Sequence, residues 1–177
     1  MQRSGKKLLL CCLLLSVNVL FIWGNSSLPG DASNQLSQSV MEVLEKVLRH
    51  PLFEKVSVRI INFMNRLLGL TIPNENVGGS LLRKMAHFTE FCWLGLNLCW
   101  LFQILEQKGI HRFTMPLLGG MTVACIDETI QLYSPGRSAS LVDVWIDTAG
   151  LILGVTVLLF LQFVVKKLKN SHIFRRK

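Results

Sequence analysis

Charge is scarce in this chain. Only 17% of its 177 residues are charged and 50% are hydrophobic, whereas a soluble domain carries about 25% charged residues. That shortage points toward a membrane protein before any segment is read. Helix-turn-helix and zinc-finger patterns are missing, so the net charge of +8 is not the mark of a nucleic-acid-binding protein. Its placement gives a second reason. Arg3, Lys6 and Lys7 precede the first apolar run, and Lys166, Lys167, Lys169, Arg175, Arg176 and Lys177 follow the last. Basic clusters abutting apolar spans are what cytoplasmic flanks look like. No Cys-x-x-Cys pair occurs. Cys11, Cys12, Cys92, Cys99 and Cys125 all lie in apolar runs, which reads as small, reduced core residues. No lipoprotein cleavage pattern precedes Cys11, and Gly24-Asn25-Ser26-Ser27 is a poor signal-peptidase site. The apolar run at 8–23 is therefore read as a retained helix rather than a cleaved signal.

What is present falls into four apolar stretches. The first, within residues 1–24, is followed by a Ser-, Asn-, Gly- and Pro-rich segment at 25–35 that reads as a loop. Apolar residues at helical spacing then predict two amphipathic helices, one through Val40, Leu44 and Leu48, the other from Leu52 to Leu68. Neither is apolar for long enough to span; they lie on the membrane surface or pack against the bundle. Residues 71–80 are turn-like again. Residues 86–105, 113–133 and 142–165 complete the set of spans, by the usual criterion of about 18 apolar-dominated residues. The expectation is an all-α integral membrane bundle of about four transmembrane helices. An extracytoplasmic insertion at 25–80 separates the first helix from a three-helix core at 81–165, and a basic tail occupies 166–177. With four spans both termini share one side, and the basic flanks together with Lys108 and Arg112 make that side the cytoplasm.

Two polar islands interrupt this apolar background. One is Arg83-Lys84-Met85-Ala86-His87-Phe88-Thr89-Glu90. The other, between Cys125 and Gly150, carries Asp127, Glu128, Gln131, Arg137, Asp143 and Asp147. A charged residue at a helix centre costs about 2.5–3.5 kcal/mol on insertion scales, so a chain that keeps several together has a use for them. The topology places both islands in the outer leaflet, where they should meet. Arg83, His87 and Glu90 share a helical face, as do Asp127 with Gln131 and Asp143 with Asp147. Gly150 and Gly154 offer a small-residue surface for close helix approach.

The islands hold more acid than base. The surplus carboxyls are protonated, wet, or gathered around a divalent cation, for which His and carboxylates are suitable ligands; the sequence identifies neither a metal nor a cofactor. In the functional reading His87 is the proton carrier, Glu90, Asp127 or Glu128 assists it, and Arg83 and Arg137 hold a phosphate or carboxylate. Lys84, Gln131, Ser138, Asp143 and Asp147 complete the binding set. In the structural reading, Arg83–Asp and Arg137–Glu pairs are internal staples with no chemistry.

At these residues the sequence resembles the VanZ-like family of bacterial membrane proteins. The resemblance rests on Arg83-Lys84-x-Ala86-His87-Phe88-x-Glu90-Phe91, Asp127-Glu128-x-x-Gln131-Leu132, Pro135-Gly136-Arg137-Ser138 and Asp143-Val144-x-x-Asp147-x-x-Gly150. It covers about residues 80–155. Tyr is common in the family where Phe91 stands, and Asn where Asp147 stands. The resemblance implies an integral membrane protein of Gram-positive bacteria associated with glycopeptide resistance, teicoplanin in particular. Some relatives are labelled phosphotransbutyrylase, but no acyl-carrier or coenzyme-binding pattern is visible here. Three functions compete. One is an envelope protein whose outer cleft binds a membrane lipid, a lipid-linked wall precursor or the antibiotic. Another is a membrane enzyme acting on a lipid-linked phosphate or related envelope substrate, with His87 as acid/base and Arg137 as anion clamp. The last is a proton-coupled transporter, which the nearly uncharged inner halves of the last three spans argue against. No nucleophile motif supports the enzyme.

Overall fold

A computed structural model describes residues 2–33, 35–36, 39–40, 59, 66, 77–137 and 140–174. Among them the protein is helical, without strands. Four long helices carry it: α1 (Gln2–Ser27), α2 (Val77–Ile104), α3 (His111–Tyr133) and α4 (Leu141–Phe174). Two are long and apolar enough to cross a membrane, α1 over Gly5–Ser27 and α4 over Leu141–Asn170. The polar residues of α2 and α3 keep those two helices below the same threshold. The amphipathic helices expected from Val40 to Leu68 lie almost wholly outside the described residues.

Several boundaries differ from the sequence reading. α1 runs on through Asn25 and Ser26 to Ser27, and residues 30–33 are helical where a loop is expected. α2 starts at Val77 inside the stretch read as turn-like. α4 continues through the basic segment to Phe174. Polarity ends an apolar run without ending a helix: Lys166, Lys167 and Lys169 are good helix formers.

α2 and α4 form the tightest pair, and glycine explains why. A Cβ on Gly150 would strike the carbonyl oxygen of Phe88, one on Gly154 that of Cys92, and one on Gly95 that of Leu151. The backbones meet where side chains are absent, as small-x-x-x-small surfaces permit. The pair is fastened at both ends. Lys84 reaches Asp143 at one end, and Gln103 reaches Gln162 at the other. These contacts lie the same number of residues apart on each helix, so the two helices are parallel and in register over about 28 Å at 1.5 Å per residue. Gln162 also accepts from Arg112 at the start of α3, 2.9 Å away.

All four helices contribute to one apolar layer: Ile22, Phe91 with Leu94, Ala124 and Leu151. One turn along each helix from that layer stands a polar residue: Ser26, His87, Glu128 and Asp147. The fold thus stacks a polar layer directly on an apolar one. Outside, the order is reversed. Leu13 and Leu20 on α1, Trp93 on α2, Leu118 and Met121 on α3 and Phe160 on α4 are exposed.

Candidate functional site

The helix ends deliver the site. α4 opens on Ser140, whose Oγ accepts from the Val142 amide at 3.2 Å, the ordinary N-cap arrangement. Asp143 falls in the first turn, where the helix dipole favours an acid, and Lys84 binds its carboxylate. α3 ends at Tyr133 and leads into Ser134-Pro135-Gly136-Arg137. Here the Arg137 amide donates to the Ser134 carbonyl at 3.2 Å, and Gly136 has φ +72. Pro followed by a left-handed Gly is the signature of a type II turn. The turn packs against Gly30, whose amide donates to the Pro135 carbonyl at 2.9 Å. That contact carries Arg137 back over the bundle end.

Asp127 is fully buried. Its Oδ2 accepts from Ser26 Oγ at 2.8 Å and from Gln131 Nε2 at 3.0 Å. Glu90 Oε1 accepts from Asn25 Nδ2 at 2.8 Å, and its Oε2 lies 3.7 Å from His87 Nδ1. Glu128 Oε2 accepts from the Ser140 amide at 2.8 Å. Ser134 Oγ donates to the Ser26 carbonyl at 2.8 Å. Asp147 is 1% exposed. It, Asp127 and His87 each bring a ligand atom to within 4.8 Å of the others'. The two islands therefore meet, through α2, α3 and α4, and α1 closes the group from the remaining side.

A pocket of about 210 Å³ opens beside this layer. Asn25, Arg83, His87, Glu90 and Arg137 form its polar wall, and Leu28, Leu36, Val40, Leu82 and Ala86 its apolar wall. Among the described residues neither arginine forms an ion pair, so the arginine–carboxylate staples of the structural reading are not made; the lysine pair of Lys84 with Asp143 is. Arg137 Nε and Nη1 are buried without a hydrogen-bond partner. Burial pushes the Arg137 pKa down from its ordinary value; Arg83 acts in the same direction, and Asp127, Glu128 and Glu90 oppose it. A guanidinium stays charged in a protein, so its buried donors await an acceptor. Ser138 lies outside the described residues.

Sequence reasoning missed Asn25 and Ser26, because their neighbours read as a loop. The available signal is Asn18, a lone amide in an apolar run. It is buried, as are Cys11, Ile22 and Ser26, and the four share one stripe of α1. That stripe ends on the site.

The described helices form a bundle with an apolar exterior and a buried polar layer at one end, and two of them are long and apolar enough to cross a membrane. The sequence model of the VanZ/LLP1 family matches residues 8–162, and the chain belongs to that family. No curated protein and no solved structure matches it.

Proposed function

We propose that this VanZ/LLP1 chain is an envelope membrane protein that crosses the bilayer four times, with both termini cytoplasmic. Its outer-leaflet pocket holds the anionic head group of an amphiphile: an envelope lipid, a lipid-linked wall precursor or a glycopeptide such as teicoplanin. Exposed apolar side chains on all four helices support the crossing, as does the separation of the two α2–α4 fastenings, which is close to the roughly 30 Å of a hydrocarbon core. The observation that carries the ligand reading is Arg137, which lines a pocket that also receives Arg83 and whose buried Nε and Nη1 lack hydrogen-bond partners among the described residues. Forked guanidinium donors match phosphate and carboxylate. The pocket's apolar lining suits an acyl chain or a sugar face.

The enzymatic reading keeps one specific support: His87 and Glu90 lie 3.7 Å apart on the same pocket wall as Arg137, where a bound phosphate would find an acid/base beside its clamp.

Binding of dodecyl phosphate to the detergent-purified protein tests the proposal, with dodecyl maltoside as the uncharged control. Wild type should bind the phosphate, and Arg137→Gln should weaken it about tenfold or more, as expected for charge-assisted bonds worth roughly 1.5–3 kcal/mol. Equal affinity for both detergents, or no loss in the variant, would sink it. In a Gram-positive host the same variant should keep its membrane level and lose any protection against teicoplanin that the wild type gives.

A further inference from the structure

His87 of the anion pocket also belongs to a second arrangement, whose two aspartates the amphiphile reading does not use. Asp127 and Asp147 are buried to 0% and 1% exposure. Asp147 Oδ1 and Oδ2, and Asp127 Oδ1, have no hydrogen-bond partner. Two apposed carboxylates with three open oxygens, and with no arginine or lysine bound to them among the described residues, are costly in a dry interior. The nearby ammonium is already taken, since Lys84 binds Asp143.

The supporting contacts are those of a ligand set. Ser26 and Gln131 both bond Asp127 Oδ2, which fixes the carboxylate and leaves Oδ1 open, as outer-shell donors do around metal ligands. His87, 12% exposed at its side chain, completes a group whose ligand atoms lie within 4.8 Å of one another. Glu90 Oε2, which has no hydrogen-bond partner among the described residues, lies 3.7 Å from His87 Nδ1. Ligand atoms about a zinc ion sit roughly 3.3 Å apart given bonds near 2.0 Å, so a modest contraction closes the group.

We propose that His87, Asp127 and Asp147 form a divalent-cation site. One imidazole with two carboxylates suits a first-row ion such as Zn²⁺ or Mn²⁺, rather than the thiolate-rich sites of soft metals. The ion ties α2, α3 and α4 together at the level where Ser26 of α1 already holds Asp127, so metal binding should stabilise the bundle.

The test uses the full-length protein in detergent, stripped with a chelator and titrated separately with Zn²⁺ and Mn²⁺. Bound metal is read by elemental analysis, and thermal unfolding is followed in parallel. About one ion per chain should bind, with a raised Tm. Asp147→Asn should keep the fold and lower the affinity at least as much as the roughly ten- to hundredfold cost of losing an outer-shell partner. Arg112→Gln, at the opposite end of the bundle, should bind as wild type does. Should Asp147→Asn fail to fold, His87→Gln takes its place with the same expected loss. Neither ion reaching a stoichiometric level, or both variants binding like wild type, overturns the site. Because the readout is metal content, failure here leaves the amphiphile pocket standing, and loss of amphiphile binding leaves the metal site standing.

Discussion

Ser26 shows what one small residue does in this bundle. It is fully buried, its hydroxyl donates to Asp127 at 2.8 Å, and its carbonyl accepts from Ser134 at 2.8 Å. Ser27, its neighbour, is exposed and only returns its hydroxyl to the Trp23 carbonyl at 2.7 Å. Ser26→Ala removes a donor from a buried carboxylate and should cost about 1–2 kcal/mol, given measured values for interhelical hydrogen bonds in membranes and for bonds to charged groups in general. Ser27→Ala should stay within about 0.5 kcal/mol. Thermal unfolding of the two variants in one detergent separates them; equal Tm values would show that the Ser26–Asp127 bond contributes nothing. The contrast also marks the limit of reading residues in order. Asp127, Gln131 and His87 announce themselves because polarity inside an apolar run is costly. Ser26 sits in a Gly-Asn-Ser-Ser stretch with the composition of a loop, and only the continuation of α1 turns it inward.

At the scale of elements, α2 and α4 decide the architecture. Gly150 and Gly154 are visible in the sequence as a small-residue surface, but their partner is not. The structure supplies it, since Phe88 and Cys92 present backbone carbonyls where each missing Cβ would stand. Backbone cannot swing aside as a side chain can. Gly154→Ala should therefore force α2 and α4 apart and cost about 1–3 kcal/mol, the usual price of overpacking. Gly119 on α3 is the matched control. A Cβ there would meet only the Leu98 methyls at 3.8 Å, and Ala is the better helix former by about 1 kcal/mol, so Gly119→Ala should be neutral or stabilising. Detergent half-life at a fixed temperature measures both, and a Gly154→Ala variant as durable as wild type would contradict the close approach. Helix boundaries were the least legible feature, because capping and tertiary contacts set them. The Pro135-Gly136 turn is readable in kind from its composition, but Ser140 as the cap of α4 comes from the structure, and nothing in the composition says that the turn leans on Gly30.

For the whole molecule, the arrangement of ends is the consequential claim. Four helices place the Ser26, Lys84, Asp127 and Asp143 levels together, while Gln103, Arg112 and Gln162 gather at the far end. The basic extension of α4 begins just beyond Gln162. On the proposed four-span arrangement, the resistance of short basic flanks to translocation would keep the Lys6–Lys7 and Lys166–Lys169 clusters inside. That orientation would turn the site outward, as a ligand in the outer leaflet requires. Single cysteines test it in a background with the five native cysteines replaced. Tyr133→Cys, at the exposed end of α3, should react with a membrane-impermeant maleimide in intact cells. Lys169→Cys, on the α4 extension, should react only after the cells are opened. The reverse pattern would turn the pocket toward the cytoplasm and remove wall precursors and external antibiotics from its candidate ligands. Labelling of both from outside would mean that α4 does not span, and the apolar exterior would then have to be covered by protein rather than lipid.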